Sequence, residues 1–399
     1  MRFKIISPRE TDLPRAAVVE TEHGPVLTPT YMPVGTFGSV KLLDAEELRS
    51  AGASILLANG FHLESTARAS LINKMGGLAK FTGWNCPTLT DSGGYQVSYM
   101  WRSGTHSLEN GERKHKSDSP IEKITDEGAR VRSLTTGERY WLTPERAMEI
   151  QALIAADIVM AFDQPTFDTD SLETAQTSMR RAHDWIVRSK VYWEDLKEKG
   201  IAPYWQTFFP IIQGGRHVEL RKESARFAVD LGTEGLAIAG ESIGILPTVT
   251  AETLDMVREI LPTNKPLYAM GLGGGPEGFF EAVLRGVDMF DNTSPTRIGR
   301  CGLAFICPDQ GGTAENHFRM DVTKSRYNED SLPIDSNCGC KTCLIYTRAY
   351  LYHLFQVKDP LGMRLVSYHN VWFMCNLGRM IRESIMSGSF QKLYNSWLT

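Results

Sequence analysis

The chain has 399 residues, 42% of them hydrophobic and 23% charged, which is enough to bury a core as one large domain or as a domain with an appendage. The formal net charge of -4 excludes a globally basic nucleic-acid binder, so any polynucleotide has to be met by a local positive surface. Charge begins at Arg2 and no run of about 18 uncharged apolar residues occurs, which points to a soluble cytoplasmic protein with no membrane partner.

In chain order, short apolar runs that end in Gly, Asn, Asp or Gln recur at 28–34, 54–59, 88–91, 158–163, 209–213, 236–240, 267–271 and 287–291. Segments with helical spacing lie between them, at 44–51, 144–155, 174–196, 218–231, 251–260 and 276–285. Eight strands alternating with helices predict an α/β fold, a (β/α)8 TIM barrel over residues 1–310. An open doubly wound sheet would normally carry a Gly-rich phosphate loop after its first strand. None follows Val34, whereas Gly271-Leu272-Gly273-Gly274-Gly275 follows the seventh strand.

Two stretches break the rhythm. Residues 92–141 are dense in charge and turn formers and are too long for a plain connection, so they are expected to form an insertion over the barrel mouth, with hairpins of its own. Residues 311–399 are expected to form a metal-binding and helical C-terminal appendage packed on the barrel. Of the seven cysteines, Cys338, Cys340 and Cys343 fall within six residues, while Cys86, Cys301, Cys307 and Cys375 are scattered. That spacing suits a metal site in a reducing compartment better than a disulfide framework. Three thiolates need a fourth ligand, and on spacing alone His353 qualifies, although it falls inside a helix predicted over 344–355.

In a barrel of this kind the site forms at the C-terminal ends of the strands. The residues closing the apolar runs there are Asp91, Asp163, Gln213, Gly240 with Glu241, Met270 and Asp291. One aspartate in such a place can equally cap a helix or close a turn. Three of them with a glutamine suit substitution at a sugar carbon, where one carboxylate attacks and another handles protons. The remaining carboxylate and amide can read a purine edge: guanine offers N1-H and a 2-amino group to an ionised Asp, and O6 to an amide or backbone N–H. Tyr95 and Met270 can sandwich the flat base.

The segments Leu89-Thr90-Asp91-Ser92-Gly93-Gly94-Tyr95-Gln96, Asp157-Ile158-Val159-Met160-Ala161-Phe162-Asp163, Gln213-Gly214, Asp288-Met289-Phe290-Asp291 and Pro295-Thr296-Arg297 resemble the signatures of the tRNA-guanine transglycosylases, the queuine/guanine tRNA-ribosyltransferase family. The likeness runs from about Phe3 to the C-terminus, and the short remainder after the appendage matches the bacterial members. The resemblance implies exchange of guanine at the anticodon wobble position of tRNA for a 7-deazaguanine, preQ1 or queuine, in queuosine modification. It implies that Asp291 is the nucleophile bonding to C1′ of the ribose and that Asp91 is the general acid/base. It implies too that Asp163, Gln213 and the backbone around Gly240 hold the base, with Tyr95 and Met270 stacked on it, in a nucleotide drawn out of its stack.

By the same likeness His369 completes a closed, structural Cys3His Zn2+ site with Cys338, Cys340 and Cys343. The anticodon arm would rest on the barrel mouth and appendage, with Arg297 and Arg300 on phosphates and Arg319, Lys324, Arg326, Lys341 and Arg348 further out. A homodimer is implied as well.

The sequence departs from the family pattern at Asn59-Gly60-Phe61-His62-Leu63, Phe162-Asp163-Gln164-Pro165 and Ala239-Gly240-Glu241-Ser242, which leaves preQ1 and queuine both open as the incoming base. Glu241 is expected to meet the substituent at the 7-position of that base. Three rival readings differ in kind. A metal-dependent hydrolase would need a His-x-His pair at a strand end, and there is none. Non-catalytic RNA-binding partner subunits of the family lack the paired aspartates. Insertion of a deazaguanine into DNA would keep the chemistry and change the polymer.

Overall fold

Strands form where the chain can be closed on both faces, and along this chain those places are runs of two to four residues that are mostly aliphatic, aromatic or β-branched. In the computed structural model, which describes residues 1–8, 13–66, 68–105 (backbone only for 103–105), 119–133, 137–240, 247–271 and 275–399, nine such strands run parallel to a neighbour. They are β1 (Thr30–Pro33), β2 (Leu56–Asn59), β3 (Thr88–Asp91), β4 (Ile158–Met160), β5 (Thr207–Phe209), β6 (Ile211–Ile212), β7 (Leu236–Ile238), β8 (Leu267–Ala269) and β9 (Met289–Asn292). They make two parallel sheets, ordered β5-β4-β3-β2 and β6-β7-β8-β9-β1.

The break between β5 and β6 is a single proline. Pro210 has no N–H to give to a ladder, and the pairing changes sides across it. Phe209 O accepts from Ala161 N–H (3.0 Å), next to β4, whereas Pro210 O accepts from Ala237 N–H (2.9 Å) on β7. At the other edges the sheets touch through an isolated parallel bridge between Val34 and Leu57, with Gly35 N–H donating to Leu57 O at 2.7 Å.

Helices connect the strands, and side-chain caps set several starts. Asp44 and Glu47 make a reciprocal capping box for Ala45–Ser50. Thr143 caps Pro144–Ile154, with proline at the first turn, and Ser171 caps the 27-residue helix Leu172–Glu198. Val218–Asp230, Pro247–Val257 and Pro276–Leu284 follow β6, β7 and β8. The strand and helix positions read from the sequence hold to within a few residues.

Three regions needed the structure. An antiparallel meander of Arg2–Ile5, Ala17–Thr21 and Gly24–Thr28 precedes β1. The 92–141 stretch contains helix Gly94–Thr105 and an antiparallel sheet of Ile121–Ile124, Ala129–Arg132 and Arg139–Leu142, while residues 106–118 and 134–136 lie outside the described residues. The helix expected over 344–355 is two helices, Lys341–Ile345 and Arg348–Gln356. Tyr346 is extended, and the Thr347 hydroxyl accepts from Tyr350 N–H to start the second.

The 27-residue helix Pro360–Met386 packs against helix Ser294–Gly299, strand Leu303–Phe305 and β1. One apolar core runs through this junction, joining Phe279 and Phe290 to Phe305, Phe373 and Trp397. No described helix is long and apolar enough to cross a membrane.

At the N-terminal end of β9, Asp288 is buried and bonded through both carboxylate oxygens: Arg15 reaches both, Leu267 N–H donates to Oδ2 at 2.8 Å, and Arg15 also donates to Lys265 O at 2.8 Å. Burial raises its pKa and the Arg15 guanidinium opposes the rise. Removing Arg15 leaves an unpaired buried carboxylate, so Arg15→Ala is expected to destabilise the fold by roughly 3–5 kcal/mol in urea unfolding. A loss under 1 kcal/mol would show that water reaches Asp288.

Candidate active site and metal centre

Because the strands are parallel, their C-terminal ends share one side of each sheet, and polar residues there come together from distant parts of the chain. Asp91 closes β3 in register with Asn59 of β2, and Asp291 sits on β9 in register with Met32 of β1. Asp163 lies three residues past β4, and Gln213 directly past β6. Asp91 and Asp291 are half-buried by surface area, yet protein surrounds their carboxyl groups. Asp163 and Gln213 are buried.

Burial pushes Asp91 up to about 8, and the charges of Asp291 and Asp163 add to the rise while the Asn59 side chain opposes it. That coupling places the three carboxylates in one electrostatic neighbourhood. None of them pairs with a Lys, Arg or His among the described residues.

Asp291 differs from Asp91 in its partners. Its Oδ1 accepts from Tyr268 O–H at 2.7 Å and from Gly271 N–H at 2.6 Å. Burial raises its pKa, and these two donors pull against the rise by favouring the anion. Tyr268 is itself buried, and burial with the charges of Asp291 and Asp91 holds its own proton on. So two neighbouring carboxylates differ in their surroundings: two donors at Asp291 favour its anion against burial, while burial and neighbouring charge hold the proton on Asp91.

Asp163 rises to about 7 through burial, opposed by a hydrogen bond from Gln213 Nε2. The Gln213 amide cannot turn over, because Thr166 N–H donates to its Oε1 at 3.1 Å. The amide is thus held at both ends, with one N–H left for a ligand.

The glycines of Ser92-Gly93-Gly94 are there for space. A Cβ on Gly94 would lie 2.2 Å from Asp163 O and 2.6 Å from its Oδ1. Gly93 has φ +99, and a Cβ there would lie 2.5 Å from Phe61 Cβ.

Tyr95 is exposed and stacks on Tyr99 with centroids 5.7 Å apart, and Met270 is half-buried beside the strand ends. Gly240 is half-buried, two residues past the end of β7. Glu241 lies outside the described residues. Arg297 is exposed on helix Ser294–Gly299, which follows β9 directly, and Arg300 caps that helix half-buried. Of the outer basic residues, Arg348 is buried, paired with Asp330 at 3.0 Å and donating to Ile334 O, so its task is structural. Lys324 pairs with Asp321 at 3.1 Å.

Tyr268, Asn59 and Thr166 were missed in the sequence. Asn59 was legible, since it closes an apolar run as the aspartates do. Tyr268 is the middle residue of Leu267-Tyr268-Ala269, and only the pairing of β8 with β9 shows where its hydroxyl goes.

The second cluster is metal-binding in type. Cys338, Cys340, Cys343 and His369 are all buried, with their ligand atoms within 4.8 Å of one another. His369 Nδ1 stands 3.6, 3.4 and 3.3 Å from the three sulfurs in turn. His369 Nε2 lies 2.7 Å from Phe305 O, a bond that puts the ring proton on Nε2 and turns the Nδ1 lone pair toward the sulfurs. His353 is exposed and outside the cluster.

A family model described as "Queuine tRNA-ribosyltransferase" matches residues 10–399. Proteins named queuine tRNA-ribosyltransferase are similar along nearly their whole length. That of Roseiflexus sp. (strain RS-1) is 40% identical over 391 residues, covering 96% of each chain. That of Rickettsia bellii is 40% identical over 374 residues, covering 94% of each. That of Thermotoga petrophila is 40% identical over 381 residues, covering 95% of this chain and 93% of its own. With aspartates gathered at the strand ends, a buried Cys3His cluster and likeness of this extent, the chain belongs to the queuine tRNA-ribosyltransferase family.

Proposed function

We propose that this chain exchanges guanine at the anticodon wobble position of tRNA for a 7-deazaguanine, preQ1 or queuine, through a covalent aspartyl-ribosyl intermediate. The observation that carries the reading is the convergence of Asp91, Asp163 and Asp291, unpaired by any described cation and unequal in their donors. In this reading the two sheets are halves of one (β/α)8 barrel over residues 1–310. The Val34 to Leu57 bridge and the chain's passage through Pro210 support that closure. Residues 92–141 are an insertion at its mouth, and residues 311–399 a zinc appendage.

Asp291 Oδ1 is occupied by two donors, which leaves Oδ2 to attack C1′ of the ribose. As the Oδ2–C1′ bond forms, the C1′–N9 bond to guanine breaks, and the protonated Asp91 gives its proton to the departing base. Asp91, now a base, takes the N9 proton of the incoming deazaguanine. That nitrogen bonds to C1′ and releases Asp291, so two inversions leave the sugar configuration unchanged.

Ionised Asp163 accepts from N1-H and the 2-amino group of guanine, the free Gln213 N–H and the backbone at Gly240 face O6, and Tyr95 and Met270 cover the ring. Adenine, with donors and acceptors reversed, would leave buried groups unpaired. The 7-substituent falls to Glu241, and phosphates of the anticodon arm to Arg297 and Arg300.

The four cluster residues fit zinc. Tetrahedral Zn–S and Zn–N bonds set S···N separations of roughly 3.5 Å, which is the spacing around His369 Nδ1. Zinc bound there supplies cross-linking of the appendage, and no chemistry at the sugar. A cytoplasmic homodimer completes the reading and rests on family membership alone.

Radiolabelled guanine, offered with tRNA carrying a wobble guanine and with duplex DNA in parallel, tests the assignment. Label is expected in the tRNA only. Label in DNA, or in neither polymer, overturns it.

Asp163 adds a pH prediction. The base needs the anion, and the free site holds its proton up to about pH 7. Guanine affinity should therefore fall about tenfold for each pH unit below 7 and level off above it, as a competition assay from pH 5.5 to 8.5 would register. A flat profile would remove Asp163 from base recognition.

A further inference from the structure

Arg221 lies in helix Val218–Asp230, is 1% exposed, and makes no ion pair among the described residues. A buried guanidinium normally needs a carboxylate or a full set of acceptors. This one takes backbone carbonyls: Nε donates to Gly215 O at 2.7 Å, and one terminal nitrogen donates to Ile212 O at 3.1 Å and Ala239 O at 2.6 Å. Those carbonyls belong to the two strand ends that flank the base site, one carrying Gln213 and the other Gly240. Gly214, with φ +122, lets the helix approach this closely, since a Cβ there would lie 2.6 Å from Arg221 N.

A trans peptide is planar, with its C=O and N–H pointing in opposite directions. Drawing the Ala239 carbonyl down onto Arg221 therefore turns the N–H of Gly240 the other way, out toward the strand-end site. We infer that Arg221 is a positioning residue for purine recognition, holding the 239–240 peptide so that the Gly240 N–H is presented to O6 of guanine. The inference rests on the reading of the site as a guanine pocket. Asp168 is the nearest carboxylate to act on Arg221, from beyond ion-pair distance, and although burial lowers the Arg221 pKa to about 10 it stays charged at neutral pH. Its charge also strengthens each carbonyl bond.

The test compares guanine with 2-aminopurine, which keeps the 2-amino group but lacks O6 and, with it, the N1-H, as competitors of labelled guanine exchange into tRNA by the zinc-loaded enzyme. The parent should favour guanine by roughly 10- to 100-fold. Arg221→Gln should weaken guanine by about tenfold, the O6 share of that preference, and leave 2-aminopurine nearly unchanged, with kcat at saturating base little altered. Arg221→Lys keeps the charge but cannot reach three carbonyls, so it should fall between the two. If the variants weaken both bases in equal proportion, Arg221 is merely structural and the inference fails alone. A parent that binds both bases alike overturns it without any variant. A parent that exchanges no guanine overturns the reading of the pocket and the inference together.

Discussion

Asp291→Asn should abolish the covalent adduct between enzyme and tRNA and lower guanine exchange by at least about 10⁴-fold. The amide keeps the shape of the carboxylate, and its oxygen can still accept from Tyr268 O–H and Gly271 N–H, so the pocket should stay assembled. What is lost is the second oxygen, whose place goes to an NH2 with no lone pair to offer C1′. Denaturing electrophoresis of enzyme, tRNA and a base analogue reads the adduct directly, and an adduct surviving in Asp291→Asn would refute the assignment.

Asp91→Asn serves as the contrast, with a stability readout of its own. Asp91 holds its proton up to about pH 8 in the folded protein, against an ordinary carboxylate value near 4. A group whose folded pKa is raised stabilises the fold fully below its unfolded pKa, and that contribution is lost as pH rises through the folded value. The parent should therefore lose stability between about pH 4 and pH 8 through this group, whereas the Asp91→Asn variant should not. The variant is expected to melt higher than the parent at pH 8, by on the order of 5 °C, and to match it near pH 4.

Removing a metal ligand should have the second large effect. His369→Ala deletes the one nitrogen donor of the buried cluster and frees Phe305 O, which the ring now satisfies. Three thiols confined within a few ångströms then lack the cation that would let them ionise together. Elemental analysis is expected to show bound zinc near one per chain in the parent and near zero in the variant, with the melting temperature lower by roughly 10 °C or more. Activity should fall with it, because the core that includes the three cysteines also holds Phe290, the residue before Asp291. Full zinc content in His369→Ala would mean that another residue supplies the fourth donor.

Much of this fold was legible because burial writes a pattern. Runs such as Leu56-Leu57-Ala58-Asn59 and Leu89-Thr90-Asp91 must be closed on both faces before they turn polar, so the change from apolar to polar marks both the strand and its C-terminal end. The cysteine triplet was legible for a similar reason, since thiols at that spacing have few uses in a reducing compartment. The meander before β1 carried no such mark: Ala17–Thr21 and Gly24–Thr28 alternate weakly and stand only by pairing with each other and with Arg2–Ile5.

What remained hidden was every fact that depends on direction across a distance. Asp91 and Asp291 read alike along the chain, and only Tyr268 and Gly271, both bonded to one oxygen of Asp291, favour the anion at one while the other keeps its proton. Spacing alone left His353 open as the fourth ligand and family likeness pointed to His369, which the long helix Pro360–Met386 carries into the cysteine cluster. Linear order specifies which groups are available and which surfaces must be buried. It leaves unspecified which hydrogen bond each group receives, because that follows from packing between separate segments of the chain, and those bonds decide charge and role.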